Sequence, residues 1–242
     1  MRRTGVVLAA GFGSRLRADD PGRLKPLAEV AGRPLMLRTL STLERAGCDR
    51  VVIVVGFEGE RIAAAVRDAY EGPLPLTFVE NARYDLANGV SVLTARDEVT
   101  SPEFVLTMAD HVFSDRVADL AKATQPPDRG AALLVDRRID KVFDLDDATK
   151  VRTEGGRIVE IGKHLSNYDA VDTGLFVATD GLFDALDAVY AARGDASLSE
   201  GIAALAREGR MRAVDIGDGF WQDVDTPEML AHAEMRLRSG AQ

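Results

Sequence analysis

Short apolar runs alternate with amphipathic segments of helical periodicity through the first half of the sequence. The runs have the length of strands and lie at Val6–Ala10, Val51–Val55, Leu76–Val79 and Phe104–Met108. Helical patterns lie between them, at Pro34–Ala46, Glu58–Tyr70 and Val90–Val99. Strands separated by helices pair in parallel through right-handed crossovers, and the helices then cover both faces of the sheet. The alternation therefore predicts a doubly wound α/β sheet.

The second half has a different pattern, in which strands follow one another more closely. The segments Thr149–Arg152 and Arg157–Ile161 flank Gly155-Gly156 and predict a hairpin. The other predicted elements are strands at Ala131–Val135 and Ala170–Ala178 and helices at Gly181–Ala192, Ser199–Glu208 and Pro227–Leu237. No repeat, low-complexity tract or linker divides the 242 residues. The sequence predicts one α/β domain in which helices flank a mixed, mostly parallel central sheet.

The charge and composition argue against several classes of protein. Asp and Glu outnumber Lys and Arg by 39 to 30, whereas nucleic-acid partners are bound by basic domains. The apolar content of 46% argues against disorder, and no apolar run approaches the roughly 20 residues of a membrane helix. The N-terminus lacks the apolar segment of a secretory signal, and the one cysteine, Cys48, allows no internal disulfide. We expect a cytoplasmic protein that has no membrane segment and binds no nucleic acid.

A glycine-containing loop follows the first predicted strand. Gly11 and Gly13 let the backbone turn and present N–H groups to phosphate oxygens, and Arg15 and Lys25 add positive charge. A dinucleotide fingerprint needs a third glycine where Leu16 stands, and the Gly-Lys-Ser/Thr of a P-loop is absent. Loops at the carboxyl ends of parallel strands bind ligands. The sequence therefore predicts a phosphate-binding loop that is neither of these two kinds.

Leu8–Arg15 followed by Lys25-Pro26 resembles the entry motif of the nucleotidyltransferases that make nucleoside-diphosphate sugars and alcohols. The resemblance implies a Rossmann-like, GT-A-like fold and Mg²⁺ as cofactor. It also implies that the loop wraps a nucleoside triphosphate, with contacts from Leu8, Ala9, Ala10, Gly11, Gly13 and Ser14. Arg15 and Lys25 are then the catalytic residues, because their charge stabilises the region of the α-phosphate.

Three aspartates are candidates for holding the cation. Asp110 follows the apolar strand Phe104–Met108 and reaches the same sheet edge as the glycine loop. Asp223 and Asp225 are two residues apart in an extended segment, so their side chains point to one side. The resemblance implies that Asp110 binds the metal together with an acidic residue of the later segment. We favour Asp223 for that role, and Asp225 is either a further ligand or the cap of the following helix.

The segment Glu80–Ser91 joins the third predicted strand to a helix. Asn and Ser side chains can read the edge of a base, whereas Asn88-Gly89 taken alone indicates a turn and a helix cap. Together with the resemblance, the segment predicts a base-recognition loop of the cytidylyltransferase kind, with contacts from Glu80, Asn88, Gly89 and Ser91.

Five further segments resemble, in order, those of the CTP:inositol-1-phosphate cytidylyltransferases: Met108–His111, Asp147–Val151, Ile161–Lys163, Ala170–Gly174 and Ser197–Gly201. The resemblance implies CTP and a polyol phosphate as substrates, and a CDP-alcohol and pyrophosphate as products. It assigns nucleotide binding to residues 1–125 and acceptor binding mainly to 126–242. The implied acceptor contacts are His111, Lys150, Lys163, Asp172, Thr173 and Glu200. His111 could instead be a turn residue with no role in binding. Lys150 and Lys163 could instead be solvent-exposed lysines of the hairpin.

Relatives of this kind are often fused to a membrane CDP-alcohol transferase. We therefore expect this chain either to act with a separate transferase of that type or to be part of a longer protein. The oligomeric state is left open by the sequence.

Three rival functions remain on sequence grounds. Two are enzymatic: the phosphocholine or phosphonate cytidylyltransferases, and the hexose-1-phosphate nucleotidyltransferases. The third is a catalytically silent, nucleotide-binding regulatory subunit, which is disfavoured because both predicted catalytic residues and both favoured metal ligands are present. Several aromatic faces normally hold a choline cation. Only two aromatic residues, Tyr84 and Trp221, lie near the predicted site segments, and Tyr168 would have to fold towards them to add a third. Two rings would enclose a choline cation poorly.

Overall fold

Strands and helices alternate along the chain, and most of the strands join one sheet of nine. The computed structural model describes residues 2–16, 22 and 24–240. Within these residues the strands are β1 (Arg3–Ala9), β2 (Glu29–Val30), β3 (Arg33–Pro34), β4 (Cys48–Val55), β5 (Leu76–Glu80), β6 (Glu103–Met108), β7 (His111–Phe113), β8 (Ala131–Asp136), β9 (Lys150–Glu154), β10 (Arg157–Gly162), β11 (Ala170–Ala178), β12 (Met211–Asp215) and β13 (Trp221–Asp223). The helices are α1 (Leu35–Arg45), α2 (Gly59–Ala69), α3 (Asn88–Thr94), α4 (Asp115–Ala123), α5 (Asp180–Arg193), α6 (Leu198–Arg207) and α7 (Pro227–Arg238).

The first half of the sheet is parallel. β1 is buried along its whole length and pairs in parallel with β4 on one side and with β6 on the other, and β5 extends the sheet beyond β4. The β-branched run Val51–Val55 is buried, as a strand covered on both faces requires. The doubly wound arrangement predicted for this half is confirmed.

The second half makes the sheet mixed. β11 lies between β6 and β8 and runs antiparallel to both, β12 pairs in parallel with β8, and β10 and β9 close the far edge. The predicted hairpin is confirmed, and its turn residues Gly155 and Gly156 both have positive φ. Two positive φ angles in a two-residue loop are the geometry that glycines favour. The sheet is therefore mixed, as predicted, but its parallel pairing is concentrated in the first half.

Helices cover both faces of the sheet and leave one continuous core on each side. Each of the two large core clusters contains residues from before and after residue 126, so the two halves share their hydrophobic cores. A smaller cluster lies under α7 and joins the end of the glycine loop to the C-terminal segment; its buried members are Leu16, Ala28, Val30, Leu35, Val112, Phe220, Val224 and Ala233. Phe220 and Val224, which flank β13, pack in this cluster with Leu16 of the glycine loop. In the part of the chain that the structure describes, no helix combines the length and the apolarity needed to span a bilayer.

Candidate active site

A cleft of about 310 Å³ opens where β1 and β6 end. The carboxyl ends of parallel strands form its floor, which is where α/β sheets bind ligands. Its lining residues are Leu8, Ala9, Gly11, Phe12, Gly13, Ser14, Arg15, Lys25, Pro26, Ala109, Asp110 and Asp225. Of the predicted loop residues, Ala10 alone is missing from this lining; it is buried, and its carbonyl oxygen accepts a hydrogen bond from the backbone N–H of Phe57. The structure thus brings the glycine loop, Arg15, Lys25 and two of the three predicted aspartates into one cleft.

Gly13 is required by the close approach of Lys25 to the loop. Its φ of +60° lies in the left-handed region, and a Cβ at this position would stand 2.8 Å from the Cβ of Lys25. A side chain here would push the lysine away from the loop. Gly13 therefore fixes where the Lys25 ammonium sits.

Lys25 lies between two carboxylates. Its Nζ donates to Asp110 Oδ2 at 2.5 Å and also to Asp225 Oδ1, and only 12% of its side chain is exposed. Burial alone would lower the pKa of Lys25, but Asp110 and Asp225 outweigh it and hold that pKa above its usual value. The ammonium is therefore a fixed positive charge in the cleft.

Arg15 links the glycine loop to the second half of the chain. It donates to Asp225 Oδ2 at 2.6 Å and to Asp147 Oδ2 at 2.9 Å. Lys163 donates to the other oxygen of Asp147 at 2.6 Å. The sequence analysis did not place Asp147 in the site, because an ion pair between residues so far apart in the chain has no local signature.

Pairing of β7 with β13 places the remaining aspartate beside these residues, where it lines a neighbouring cavity and not the cleft itself. Asp223 lies opposite His111 in this antiparallel pair, and the backbone N–H of Val224 donates to the carbonyl oxygen of Asp110 at 2.9 Å. His111 Nδ1 lies 2.5 Å from Asp110 Oδ1. The charges of Lys25 and His111 overcome the effect of burial and hold the pKa of Asp110 well below its usual range.

Asp223 is in the opposite electrostatic situation. Among the described residues it forms no ion pair, and burial raises its pKa, with further contributions from the Asp110 and Asp225 charges against an opposing one from His111. A partly buried carboxylate beside two others is stabilised by a cation. Within residues 2–16, 22 and 24–240, no three His, Cys, Asp or Glu side chains form a ready-made metal site. Mg²⁺ commonly uses one or two carboxylates plus substrate phosphates and water, so Asp223 and Asp110 fit such an ion.

The structure removes one of the two alternatives for Asp225. Thr226, rather than Asp225, caps α7, because its side chain accepts from the backbone N–H of Met229 at 3.3 Å. Asp225 instead holds the two cations of the cleft, Lys25 and Arg15. The cap interpretation was therefore wrong.

The residues predicted to read the base mostly hold α3 in place. Ser91 is buried and accepts from Asn81 Nδ2 at 2.9 Å, and Asn88 Oδ1 accepts from the backbone N–H of Leu198 at 2.9 Å. A Cβ on Gly89 would lie 2.5 Å from the carbonyl oxygen of Ala196. Glu80 ends β5 with an exposed side chain and is not part of the cleft lining. We correct the assignment of Asn88 and Ser91, because the Asn88 oxygen is used at the start of α6 and the Ser91 hydroxyl by Asn81 after β5.

An aromatic cluster that the sequence analysis missed borders the glycine loop. Phe12 lines the cleft with 48% of its surface exposed. Its ring centroid lies 5.4 Å from those of Phe57 and Tyr84. The sequence did contain a signal for this cluster, because Phe12 stands between the two glycines of the loop.

The acceptor residues predicted from the family resemblance divide into two groups. Thr173 is fully buried and its hydroxyl donates to the carbonyl oxygen of Leu134, and Glu200 completes the capping box of α6 with Ser197. Lys150 is buried and donates to the carbonyl oxygen of Asp146. These three assignments are corrected, because the side chains are used inside the fold. His111, Lys163 and Asp172 remain near the site.

Asp172 is partly buried, and its Oδ1 accepts from the backbone N–H of Gly174 at 2.7 Å. No ion pair to it occurs in the described residues. Burial raises its pKa to about 6, against smaller opposing effects of the Gly174 hydrogen bond and of His111. The folded protein therefore binds a proton at this carboxyl at a higher pH than the unfolded chain does. By linkage, stability falls as the pH rises from about 4, the pKa of Asp172 in the unfolded chain, to about 6, and the whole loss remains at higher pH.

We expect Asp172→Asn to raise the free energy of unfolding at pH 7.5, by at most about 3 kcal/mol, since each pKa unit corresponds to about 1.4 kcal/mol. The gain should shrink as the pH falls from 6 towards 4 and vanish well below pH 4, where the carboxyl is protonated in both states. Urea unfolding of the wild type and the variant at three pH values measures it. Asp146→Asn, at an exposed position, is the matched control. An Asp172→Asn variant no more stable than the wild type at pH 7.5 would contradict the placement.

Comparisons with known proteins agree with this architecture. The family model described as the MobA-like NTP transferase domain matches residues 5–214. The bifunctional IPC transferase and DIPP synthase of Rubrobacter xylanophilus is 40% identical over 234 residues, which cover 95% of this chain and 50% of that protein. The chain spans about half the length of the bifunctional relatives it matches.

Two relatives have about the length of this chain. The UTP–glucose-1-phosphate uridylyltransferase AglF of Haloferax volcanii is 32% identical, with 96% of each chain covered. A solved structure described as the inositol-1-phosphate CTP transferase from T. maritima superposes with a TM-score of 0.85 at 26% identity, covering 99% of this chain and 97% of that one.

Proposed function

The chain belongs to the MobA-like NTP transferase family, and we propose that it transfers a cytidylyl group from CTP to inositol 1-phosphate. The products are CDP-inositol and pyrophosphate. The observation that carries the proposal is the placement of Lys25 and Arg15 beside Asp110, Asp223 and Asp225 at the mouth of the glycine loop. The choice of CTP and inositol 1-phosphate rests on the similarity to the T. maritima enzyme over nearly the whole of both chains.

The reaction joins two anions, so the chemical problem is electrostatic. The acceptor phosphate is mostly dianionic at pH 7, since its second pKa is about 6, and it needs no general base. One of its oxygens forms a bond to the α-phosphorus of CTP, and the bond from that phosphorus to pyrophosphate breaks. Lys25 and Arg15 neutralise charge that builds up on the α-phosphate and on the leaving pyrophosphate. Asp225 and Asp147 hold these cations in place.

We assign nucleotide binding to residues 1–125 and acceptor binding mainly to 126–242. His111, Lys163 and Asp172 are the acceptor contacts that we retain. Lys163 is half exposed and exchanges Asp147 for a substrate phosphate. Asp172 accepts hydrogen bonds from ring hydroxyls of the acceptor. These hydrogen bonds offset the loss of stability that its buried charge causes.

A divalent cation, Mg²⁺, completes the proposed site. Asp223 and Asp110 are the residues that would hold it. When bound it supplies positive charge to the α-phosphate. Asp223 remains available to a cation, because in the described part of the protein it forms no ion pair, although the charge of His111 acts on it.

Kinetics with different nucleotides and acceptors test the proposal directly. From the similarity to the inositol-1-phosphate CTP transferase, we expect kcat/KM for CTP to exceed that for UTP, dTTP and GTP by at least about tenfold, a discrimination that hydrogen-bonding sites commonly reach. With CTP, inositol 1-phosphate should give the fastest pyrophosphate release among inositol 1-phosphate, glucose 1-phosphate, phosphocholine and 2-aminoethylphosphonate. Pyrophosphate release and detection of the CDP product by mass spectrometry measure both preferences.

The panel also separates the second candidate function. The uridylyltransferase relative, similar over its full length, favours UTP and glucose 1-phosphate as the alternative pair. Faster turnover of that pair would replace the proposed substrates. A faster rate with phosphocholine would replace inositol 1-phosphate as the acceptor; we do not expect it, because Tyr84 packs with Phe12 and Phe57 whereas Trp221 stacks on His111.

A further inference from the structure

We propose that Gln222 and His232 are positioning residues for Asp223, which they orient through a directed chain of hydrogen bonds from α7. This inference rests on the proposed function, in which Asp223 holds the cation. Neither residue lies in the glycine-loop cleft, and neither was singled out by the sequence analysis.

The amide of Gln222 has one orientation only. Its Nε2 donates to the Asp223 carbonyl oxygen at 2.8 Å and to Asp223 Oδ1 at 3.1 Å, and both of these atoms are acceptors. The nitrogen of the amide must therefore face Asp223. The side chain is 96% buried, since only 4% of its surface is exposed, so water does not compete for these bonds.

This orientation points the amide oxygen of Gln222 at His232. Oε1 lies 2.9 Å from His232 Nδ1, and because an oxygen acceptor faces it, Nδ1 must carry the proton. The imidazole is held by stacking on Phe143, with ring centroids 4.5 Å apart, and by an edge contact with Phe220 at 6.3 Å. The chain of donors therefore runs in one direction, from His232 through Gln222 to Asp223.

A neutral amide suits the task better than a cation would. His111 attracts the Asp223 carboxylate while Asp110 and Asp225 repel it, so a directed hydrogen bond is needed to hold that carboxylate in one rotamer. Lysine or arginine would supply donors but would also cancel the charge that attracts a cation. Gln222 satisfies Oδ1 and leaves the negative charge intact. Outer hydrogen bonds of this kind typically change metal affinity by 10–100-fold when they are removed.

Two substitutions of His232 separate its hydrogen bond from its packing. His232→Phe keeps an aromatic ring against Phe143 and removes the donor. His232→Asn places an amide N–H at the position of Nδ1 and removes the ring. Both are tested by electron paramagnetic resonance of free Mn²⁺, titrated into the full chain with CTP and no acceptor, alongside activity as a function of Mg²⁺.

The expected result is a dissociation constant for Mn²⁺ about tenfold higher in His232→Phe and within about threefold of the wild type in His232→Asn. The Mg²⁺ concentration for half-maximal activity should move in parallel, with kcat at saturating Mg²⁺ nearly unchanged. Gln222→Met, which keeps the side-chain length but removes the donors to Asp223, should weaken Mn²⁺ binding at least as much. It also decides the question if His232→Phe does not fold.

Unchanged Mn²⁺ binding in both His232→Phe and Gln222→Met would overturn the inference. Equal weakening in His232→Phe and His232→Asn would show that packing, not the donor, matters. Failure of the proposed function looks different, because then the wild type itself forms no CDP-inositol.

Discussion

Replacing Lys25 with methionine is expected to lower kcat by about a hundredfold or more, which corresponds to roughly 2.7 kcal/mol of transition-state stabilisation. The reason is geometric. Gly13 lets Lys25 pack against the glycine loop, and Asp110 and Asp225 hold its ammonium at the floor of the cleft. A charge fixed in this way needs no reorganisation when negative charge develops on the α-phosphate. Methionine keeps most of the side-chain volume, so the effect isolates the charge.

The fold of the Lys25→Met variant has to be checked, because the substitution leaves Asp110 and Asp225 without their shared cation. Breaking a buried ion pair commonly costs about 3–5 kcal/mol, so activity should be compared at a temperature where circular dichroism shows both proteins folded. Lys122→Met, an exposed lysine on α4, is the matched control and should turn over like the wild type. A higher KM with an unchanged kcat would mean that Lys25 only binds the ground-state phosphates.

The fold was predictable where local patterns were strong. Alternation of apolar runs and amphipathic segments predicted β1, β4, β5 and β6 and the helices between them, and Gly155-Gly156 predicted the hairpin. α4, β12 and the β7–β13 pair were missed. The nine residues of α4 carry a short apolar stripe among charges, and β12 includes Arg212 and ends in Asp215. Elements this short form because the sheet and the core beside them supply the packing that their own sequences do not indicate.

Two of the wrong site assignments had a warning in the sequence. Asp172 and Thr173 are neighbours in a strand, so their side chains face opposite ways and both could not meet one substrate. Ser197 and Glu200 have the spacing of a capping box, which the structure confirms. The contacts of Asp147 with Arg15, and of His232 with Gln222, had no such signal. They join segments that only the finished fold brings together.

Asp223→Asn and Asp110→Asn are both expected to abolish turnover, yet to change stability in opposite directions. Burial and the neighbouring carboxylates raise the pKa of Asp223, so its charge is unfavourable in the folded protein at pH 7.5. Removing that charge should leave the melting temperature equal or higher. Lys25 and His111 hold the pKa of Asp110 below its usual value despite burial, so its charge stabilises the fold above the unfolded pKa. Asp110→Asn should therefore lower the melting temperature at pH 7.5, and the difference from the wild type should shrink as the pH falls below about 4.

Activity and melting temperature, measured on the same preparations, separate a residue that holds a cation from one that merely holds the fold. If a carboxylate were purely structural, replacing it would lower activity only as far as it lowered the melting temperature. Asp223→Asn instead combines lost turnover with retained stability, because its charge serves the cation and not the fold. Excess EDTA should abolish wild-type activity, and added Mg²⁺ should restore it. Full activity in EDTA would show that the reaction needs no cation, and an Asp223→Asn variant that turns over normally would show that Asp223 does not hold one.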